Sequence, residues 1–443
     1  MKKTLITISL FISAHAFSEN INLTYDKLEA DDIKWASIPV NKVSLFFPGQ
    51  VTYSWLNSEE HKGTAHKNYA TRSCMSCHQG EERGLGDMLV SRDVEQINSD
   101  SYTKNGSVVA DMQFVHDDEY LYIRTSWYTQ AEKAGRMHNM YQWDGEQWNS
   151  YGYDRVRDAN NPLYEDRLSF MIDDGTVDQF AQQGCFMSCH QGERDLEPAT
   201  REQTQALPVI GKGGLNKNDV RKYLPKSRTD GHSWDKPISQ QEVDQLKLLG
   251  EFVDLMQWRS TRSAGTASAD DGNVFEYRNT DSGQNIFTWN MDRKAGKPKY
   301  MYDVDIMGFY ALDRDDNEDM TKDIALIEGV NTMPYDESKI KPGQFIQGRL
   351  LRAAPEGSAA DNAGNVVSFF NTESKRYTVI FKRKLDTGDV TQDKLMKEGG
   401  TYNFNVAIHD DSTTTRFHFV SFPFNLGIGT EAQGDIQSIR ISR

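Results

Sequence analysis

The feature that most constrains the fold is a two-residue alternation of apolar side chains that recurs along the chain. Stretches in which every second residue is apolar are typical of strands with one buried face. They begin at Val108, Leu121, Leu168, Tyr377 and Tyr402. Turn-forming dipeptides separate such stretches at 105–106, 174–175, 271–272 and 282–283. The pattern predicts a mainly β fold, an antiparallel β-sandwich with long loops and few helices.

Helical patterns are sparse. The clearest is the sequence Ser239-Gln240-Gln241-Glu242, a capping box that precedes an apolar run beginning at Val243. Segments 49–105 and 174–235 are polar and lack a regular period, so we expect them to be long loops laid on the sandwich. Loops of this length are often functional. Both segments contain cysteines.

The composition indicates a folded, acidic protein. The 443 residues include 19 Tyr, 21 Phe and 8 Trp, which are too many aromatic rings to remain in water. Lys and Arg number 50 against 65 for Asp and Glu, which gives a net charge of -15. Binding a nucleic-acid backbone needs a basic face, so we expect no nucleic-acid partner. An acidic surface would instead attract a basic protein partner.

Residues 1–16 have the pattern of a cleavable signal peptide. Lys2 and Lys3 precede an apolar stretch, and Ala14-His15-Ala16 is a small-x-small cleavage site. The stretch is shorter than the roughly 20 apolar residues that span a bilayer. We therefore expect an exported protein with no membrane span, periplasmic in a Gram-negative cell.

The string MSCHQGE occurs twice, at 75–81 and at 187–193. With the preceding Cys74, the first copy forms a C-x-x-C-H sequence of Cys74, Cys77 and His78, which is the c-type haem attachment motif. The spacing lets two thiols reach the two vinyl groups on one edge of a porphyrin. The adjacent histidine can then offer its Nε2 to the iron.

The second copy differs by one residue. Cys185, Cys189 and His190 form C-x-x-x-C-H, and attachment sites of that length are rare. The sequence predicts two covalently attached haem c groups, carried on the long loops. Three alternatives remain open: one structural zinc held by the four cysteines, two local disulfides, and a degenerate second site. The first two do not explain why a histidine follows each second cysteine.

Each haem iron needs a sixth ligand or keeps an open face. For the first haem the nearby candidates are His61 and His66, and we favour His61 because the glycine close after it would let the chain turn against the ring. For the second haem we favour His418, which would share a strand face with Val420 and Phe422. Other histidines and several methionines remain candidates for the second haem: His116, His138, His232, His409, Met88, Met171 and Met301.

Other chemistry is poorly represented. The acidic run at 313–319 could hold calcium, but it lacks the spacing of a known calcium loop, so we interpret it as a solvated turn. The sequence contains no G-x-x-x-x-G-K-[ST], H-E-x-x-H or G-x-S-x-G motif. Conventional hydrolase or kinase chemistry is therefore not predicted.

Residues 164–170, 253–259 and 406–411, together with the stretch that continues to Ser421, resemble the haem-binding domain family typified by the gamma subunits of ethylbenzene dehydrogenase and dimethyl sulfide dehydrogenase. The chain is similar in particular to larger exported cytochromes of that family, which add an N-terminal H-x-G…C-x-x-C-H module. The resemblance implies a β-sandwich that holds a haem at one end of its sheets and passes electrons.

The chain departs from the gamma subunits at the ligands. Their haem is b-type with Met and Lys ligands, whereas the resemblance places the second cysteine loop where the Met would be and His418 where the Lys would be. The departure favours a covalent bis-His centre, and it argues against carrying over the gamma subunits' redox role beside a molybdenum enzyme.

These observations predict three regions: a signal peptide at 1–16, an N-terminal segment at 17–105 with the first haem loop, and a sandwich at 106–443 with the second haem loop near 174–235. The expected function is electron transfer by a periplasmic dihaem c-type cytochrome, an electron carrier rather than an enzyme. Alternatives are a haem oxidoreductase with one open iron site for a small inorganic substrate, an electron-transfer subunit of a larger complex, and a non-catalytic binding module.

Overall fold

The computed structural model describes residues 33–62, 72–97, 106–129, 137–152, 164–188, 197–313, 324–355, 357–410 and 418–442. The strands are β1 (Asn41–Phe46), β2 (Ser107–His116), β3 (Tyr120–Tyr128), β4 (Met140–Trp143), β5 (Trp148–Tyr151), β6 (Arg167–Asp173), β7 (Val253–Arg259), β8 (Asp270–Val274), β9 (Arg278–Thr280), β10 (Phe287–Trp289), β11 (Met291–Asp292), β12 (Lys297–Pro298), β13 (Tyr300–Tyr302), β14 (Thr332–Pro334), β15 (Phe345–Gln347), β16 (Arg349–Leu351), β17 (Val366–Asn371), β18 (Arg376–Lys384), β19 (Thr401–His409), β20 (Phe419–Ser421), β21 (Phe424–Ile428) and β22 (Ile436–Arg440).

The helices are short, with one exception. They are α1 (Tyr53–Leu56), α2 (Glu59–Lys62), α3 (Met75–His78), α4 (Glu82–Ile97), α5 (Phe180–Gln183), α6 (Arg201–Ala206), α7 (Gln240–Leu248) and α8 (Val304–Met307). Within the described ranges, no helix combines the length and apolar character that crossing a bilayer requires.

The main sheet folds over on itself as a β-sandwich. Its strand order is β17-β18-β3-β2-β1-β20-β19-β6-β7-β8-β9, with antiparallel neighbours along this path. Strand β22 lies beside both β2 and β21 and runs parallel to each. The prediction of a mainly β, antiparallel sandwich with few helices is confirmed, with β22 as a parallel addition.

The predicted alternating stretches supply the core between the two layers. Trp127 of β3 packs edge-on against Trp258 of β7, with ring centres 6.3 Å apart. Phe381 of β18 meets Phe170 of β6 at 5.0 Å. These strands are distant in the sheet order, so the contacts join the facing layers. Each such buried ring contributes roughly 1.5–3 kcal/mol of stability.

A smaller β unit, which the sequence did not predict, is built mainly from residues 137–152, 286–313 and 324–351. It contains the three-stranded sheet β15-β4-β5 and the pairs β10-β16, β11-β12 and β13-β14. Its own apolar core includes Met140, Trp143, Met301, Tyr302 and Phe345.

A buried ionic cluster links this unit to the sandwich. Arg349 of β16 donates to Glu165 Oε2 at 3.0 Å, while Arg167 and Arg259 lie 3.2 and 3.4 Å from Glu165 Oε1. Burial alone would raise the pKa of Glu165, but the three guanidinium groups hold this pKa well below its ordinary value. Glu165 therefore remains ionised in the folded protein at neutral pH.

Two local expectations need correction. Segment 49–105 is not only loop, because it contains the 16-residue helix α4. The dipeptide Asp271-Gly272 lies inside β8 rather than in a turn. A Cβ on Gly272 would lie 2.2 Å from the carbonyl oxygen of Asn279 on β9, so the glycine permits a close strand approach. The capping box at Ser239 does begin helix α7, as predicted.

Candidate functional site

The first cysteine motif forms the single helical turn α3. The carbonyl of Cys74 accepts hydrogen bonds from the backbone N–H of Cys77 (3.2 Å) and of His78 (2.9 Å). Residues three apart share one side of a helix, so the two thiols lie on the same side of this turn. Gly80, with φ +83°, then lets the chain reverse into α4. The local backbone thus presents Cys74, Cys77 and His78 as one group.

His61, the favoured distal candidate, lies opposite His78. The two ring centres are 6.3 Å apart and the ring planes differ by 21°. A metal ion bonded at about 2 Å to one nitrogen of each ring would hold two such centres about 6 Å apart. The separation of the two rings is therefore the one expected of two histidines that bind the same ion. His66 lies outside the described residues.

Hydrogen bonds on Nδ1 set the tautomer of both rings. His78 Nδ1 lies 2.9 Å from Glu81 Oε2, and His61 Nδ1 lies 3.1 Å from the carbonyl oxygen of Leu56. Both partners are acceptors, so each Nδ1 donates its proton, and in the neutral form of each ring the lone pair is then on Nε2. Metal-binding histidines are held in this way in many proteins.

The position of His61 follows from the preceding helix. Thr52 caps α1 by accepting from the N–H of Trp55 at 3.0 Å, and the Trp55 ring then packs against His61 with centres 4.5 Å apart. His232 lies nearby, with its ring 5.4 Å from Tyr53. The structure thus places His232, a candidate for the second centre, beside the first.

Three phenylalanine rings pack together beside His78. The Phe422 ring lies 6.2 Å from the His78 ring at an interplanar angle of 17°, and Phe422 packs against Phe46 and Phe186 at 4.9 and 6.0 Å. Burial raises the pKa of the Cys74 thiol to about 11. The thiol is therefore neutral at physiological pH, which does not suit a reactive thiolate nucleophile.

The second cysteine loop adjoins the first. The N–H of Cys74 donates to the carbonyl of Gln182 at 3.1 Å. Cys185 is buried, and its own N–H donates to Asn405 Oδ1 on β19 at 2.7 Å. A Cβ on Gly184 would lie 1.7 Å from that same oxygen, so only glycine fits where the loop meets the strand. Cys189 and His190 lie outside the described residues.

His418 lies just before β20 and pairs with a second histidine rather than standing alone. Its ring is nearly parallel to that of His409, with centres 4.9 Å apart and an angle of 13°. Tyr164 lies 6.4 Å from His409, and His138 lies 5.1 Å from Tyr164. His138, His409 and His418 are far apart in the sequence. The strand register that pairs Ile408 with Phe419 brings His409 and His418 together.

The remaining candidates are dispersed. His116 is fully buried on β2, where its Nδ1 lies 2.9 Å from Ser438 Oγ, and burial lowers its pKa. Met301 belongs to the core of the smaller unit, and Met171 packs in the cluster around Cys185. Met88 is 44% exposed.

The alternative uses of the cysteines gain no support from the described part of the chain. Cys74, Cys77 and Cys185 form no disulfide there. The one described group of three acidic, histidine or cysteine side chains close enough to share an ion consists of aspartates. A four-cysteine zinc site would include Cys189, which lies outside the described residues.

The chain matches known proteins over nearly its whole length. The family model described as Ethylbenzene dehydrogenase matches residues 32–421. Cytochrome c-552 of Stutzerimonas stutzeri is 24% identical over 442 residues, which cover 99% of this chain and 100% of that protein. Because the family match extends over most of its length, the chain belongs to the ethylbenzene dehydrogenase family.

Proposed function

We propose that the protein is a periplasmic c-type cytochrome that transfers electrons through two covalently attached haems. The first would be held by Cys74, Cys77 and His78, and the second by Cys185, Cys189 and His190. The observation that carries the proposal is the 6.3 Å separation of the His61 and His78 rings beside a C-x-x-C-H turn. Family membership and the similarity to a cytochrome c-552 support it.

At the first centre the residues fit the group. Cys74 and Cys77 would each add sulfur and hydrogen across one vinyl double bond, which forms two thioethers and needs no oxidant. His78 and His61 would hold the iron through Nε2. The iron would supply one-electron exchange when bound. Because two histidines of the protein would hold it, a small substrate would not reach the metal, and the proposal is therefore an electron carrier rather than an enzyme.

The ligand set also favours a low reduction potential. Bis-histidine ligation gives lower potentials than histidine with methionine. The Glu81 carboxylate, as the hydrogen-bond partner of His78 Nδ1, strengthens the donor character of that ring.

At the second centre we propose that His190 and His418 would hold the iron. In support, Asn405 holds Cys185 against β19, and His418 lies beside the final residue of that same strand. His409 lies four positions after Asn405, about 13 Å along the strand. The Cys189–His190 segment that follows Cys185 would have to cover this distance.

The surroundings of the proposed carrier follow from its charge and its first residues. A net charge of -15 would steer it to redox partners with a basic docking face. Residues 1–16 would direct export to the periplasm and then be removed. This leaves an N-terminal haem segment at 17–105, whose strand β1 joins the main sheet, and the sandwich domain at 106–443. No nucleic-acid partner is proposed.

Haem staining of denaturing gels tests the covalent attachment. The wild type should stain, and each double variant, Cys74→Ala with Cys77→Ala or Cys185→Ala with Cys189→Ala, should keep about half of the stain. Ser76→Ala, which changes a residue between the first two cysteines, is the matched control and should stain fully. Equal staining of the wild type and the Cys185/Cys189 variant would refute the second attachment site.

A spectrum of the ferric protein separates the carrier from the enzyme. Two low-spin centres are expected if all four axial positions are filled. A high-spin signal from either centre in the wild type would instead favour the haem oxidoreductase with an open iron site.

A further inference from the structure

A cluster of buried carboxylates lies in the sandwich, apart from the cysteine loops. Asp254 on β7, Asp271 on β8 and Asp393 are 0%, 2% and 4% exposed. One side-chain oxygen from each lies within 4.8 Å of the other two. Asp281 is a fourth buried acid. Its Oδ1 accepts a hydrogen bond from the side chain of Asn273 on β8 at 2.9 Å.

The neighbouring cationic side chains do not balance the negative charge that the cluster would carry if all its carboxylates were ionised. Arg383 donates to Asp254 Oδ2 at 2.6 Å, and it is fully buried. Lys394 directs its ammonium group elsewhere, to Asp174 Oδ1 at 2.6 Å. Ionised carboxylates packed without compensation are strongly unfavourable in a protein interior. The cluster therefore needs either protons or a further cation.

Several oxygens at the cluster have no hydrogen-bond partner among the described residues. They are Asp254 Oδ1, Asp271 Oδ1 and Asn362 Oδ1, all buried. The opposite oxygens of the two aspartates are engaged, Asp254 Oδ2 with Arg383 and Asp271 Oδ2 with the N–H of Asn362 at 3.1 Å. Buried polar atoms are rarely left without a partner in folded proteins. Three such oxygens at one place indicate that a proton or a cation binds there.

Asn362 reaches the cluster at both its backbone and its side chain. Its N–H donates to Asp271, and its Nδ2 donates to Asp393 Oδ1 at 3.2 Å. The oxygen and nitrogen of an amide can exchange places by a half turn. This rotation of the side-chain amide would place the Asn362 oxygen next to Asp393, where the amide oxygen and the carboxylate could bind the same ion.

The donor set selects the ion. All the candidate ligands are carboxylate or amide oxygens, which Ca²⁺ prefers, and its bonds of about 2.3–2.6 Å allow ligand oxygens to lie up to about 5 Å apart. The 4.8 Å limit on the three carboxylates meets this condition. Zn²⁺ in proteins is bound mostly through nitrogen and sulfur, and Mg²⁺ usually keeps several waters and few protein ligands.

We propose that Asp254, Asp271 and Asp393, together with Asn362, form a Ca²⁺ site that fastens the loop at 357–364 to strands β7 and β8. None of these residues belongs to the acidic run at 313–319.

Metal analysis and calorimetry of the full-length haem-loaded protein test the site. The protein is stripped with a chelator, titrated with Ca²⁺ alone, and melted with and without the ion. We expect one Ca²⁺ per chain and a melting temperature higher by about 3 °C or more in saturating Ca²⁺. No binding up to about 1 mM Ca²⁺, the weak end of protein calcium sites, would overturn the proposal and leave protons as the balancing charge.

Variants locate the ion. Asp393→Asn should weaken Ca²⁺ binding at least tenfold, whereas Asp244→Asn, an exposed control on α7, should leave it unchanged. If Asp393→Asn does not fold, the wild-type titration still decides whether an ion binds, and Asn362→Ala provides the second variant. Unchanged Ca²⁺ affinity in the folded variants would overturn the proposed location. Binding of Mg²⁺ but not of Ca²⁺ would overturn the proposed ion.

Discussion

Replacing Glu81 by Gln tests how the protein sets the potential of the first proposed haem. Glu81 Oε2 is the hydrogen-bond partner of His78 Nδ1 at 2.9 Å. A carboxylate makes the imidazole a stronger donor than an amide does, and it thereby stabilises the oxidised iron. Glu81→Gln keeps the shape of the side chain and removes its charge. We expect the midpoint potential of this haem to rise.

The magnitude follows from the exposure of the pair. A hydrogen bond to a charged group contributes about 1.5–3 kcal/mol and one between neutral groups about 0.5–1.5 kcal/mol, so the change is about 1 kcal/mol for a buried pair. The His78 and Glu81 side chains are 33% and 59% exposed. Solvent screening reduces the effect to about 0.5 kcal/mol. For a one-electron couple this corresponds to about 20 mV.

A spectroelectrochemical titration measures the shift. Glu82→Gln is the matched control because it removes the same charge one residue away, while Glu82 Oε1 faces the N–H of Gly80 at 3.4 Å. Glu81→Gln should raise the potential by about 20 mV more than Glu82→Gln does. Equal shifts would mean that only long-range charge matters. A lower potential in Glu81→Gln would refute the reasoning.

Three further perturbations test other parts of the account. His61→Ala should turn one haem high-spin in the ferric EPR spectrum, whereas His66→Ala should not; the reverse would assign the distal ligand to His66. Glu165→Gln should cost about 3–5 kcal/mol of unfolding free energy, because three buried guanidinium groups lose their partner. Since the folded-state pKa of Glu165 lies below its ordinary value of 4.5, its stabilisation is complete above that pH and is lost as the pH falls further; denaturant unfolding of the wild type at low pH should show this loss and the variant should not. Gly184→Ala should lower the melting temperature and the haem content, because φ is +56° and the Cβ would collide with Asn405; an unchanged melting temperature would contradict the contact.

The sandwich could be predicted because alternation reports directly on burial. The stretches that begin at Leu168 and Tyr402 lie within β6 and β19, which are adjacent in the sheet. The smaller unit was missed because its strands are mostly two to four residues long, too short to display a period. The 16-residue helix α4 was missed because it has two glycines and a weak apolar face, and its packing against β1 stabilises it.

For the proposed first centre, the sequence indicates the residues but not how they lie in space. C-x-x-C-H is a local motif, and the nearby glycine was enough to favour His61. The hydrogen bonds of Nδ1 with Leu56 and Glu81 depend on how the helical turns pack, which no local pattern reports. The aspartate cluster was invisible for the same reason, since Asp254, Asp271 and Asp393 come from separate segments.

The most direct test of the central claim is the intact mass of the exported protein, measured under denaturing conditions that remove anything held without a covalent bond. We predict the mass of the polypeptide that begins after residue 16 plus two haem groups. A mass without any haem, or with a single haem, would contradict the account.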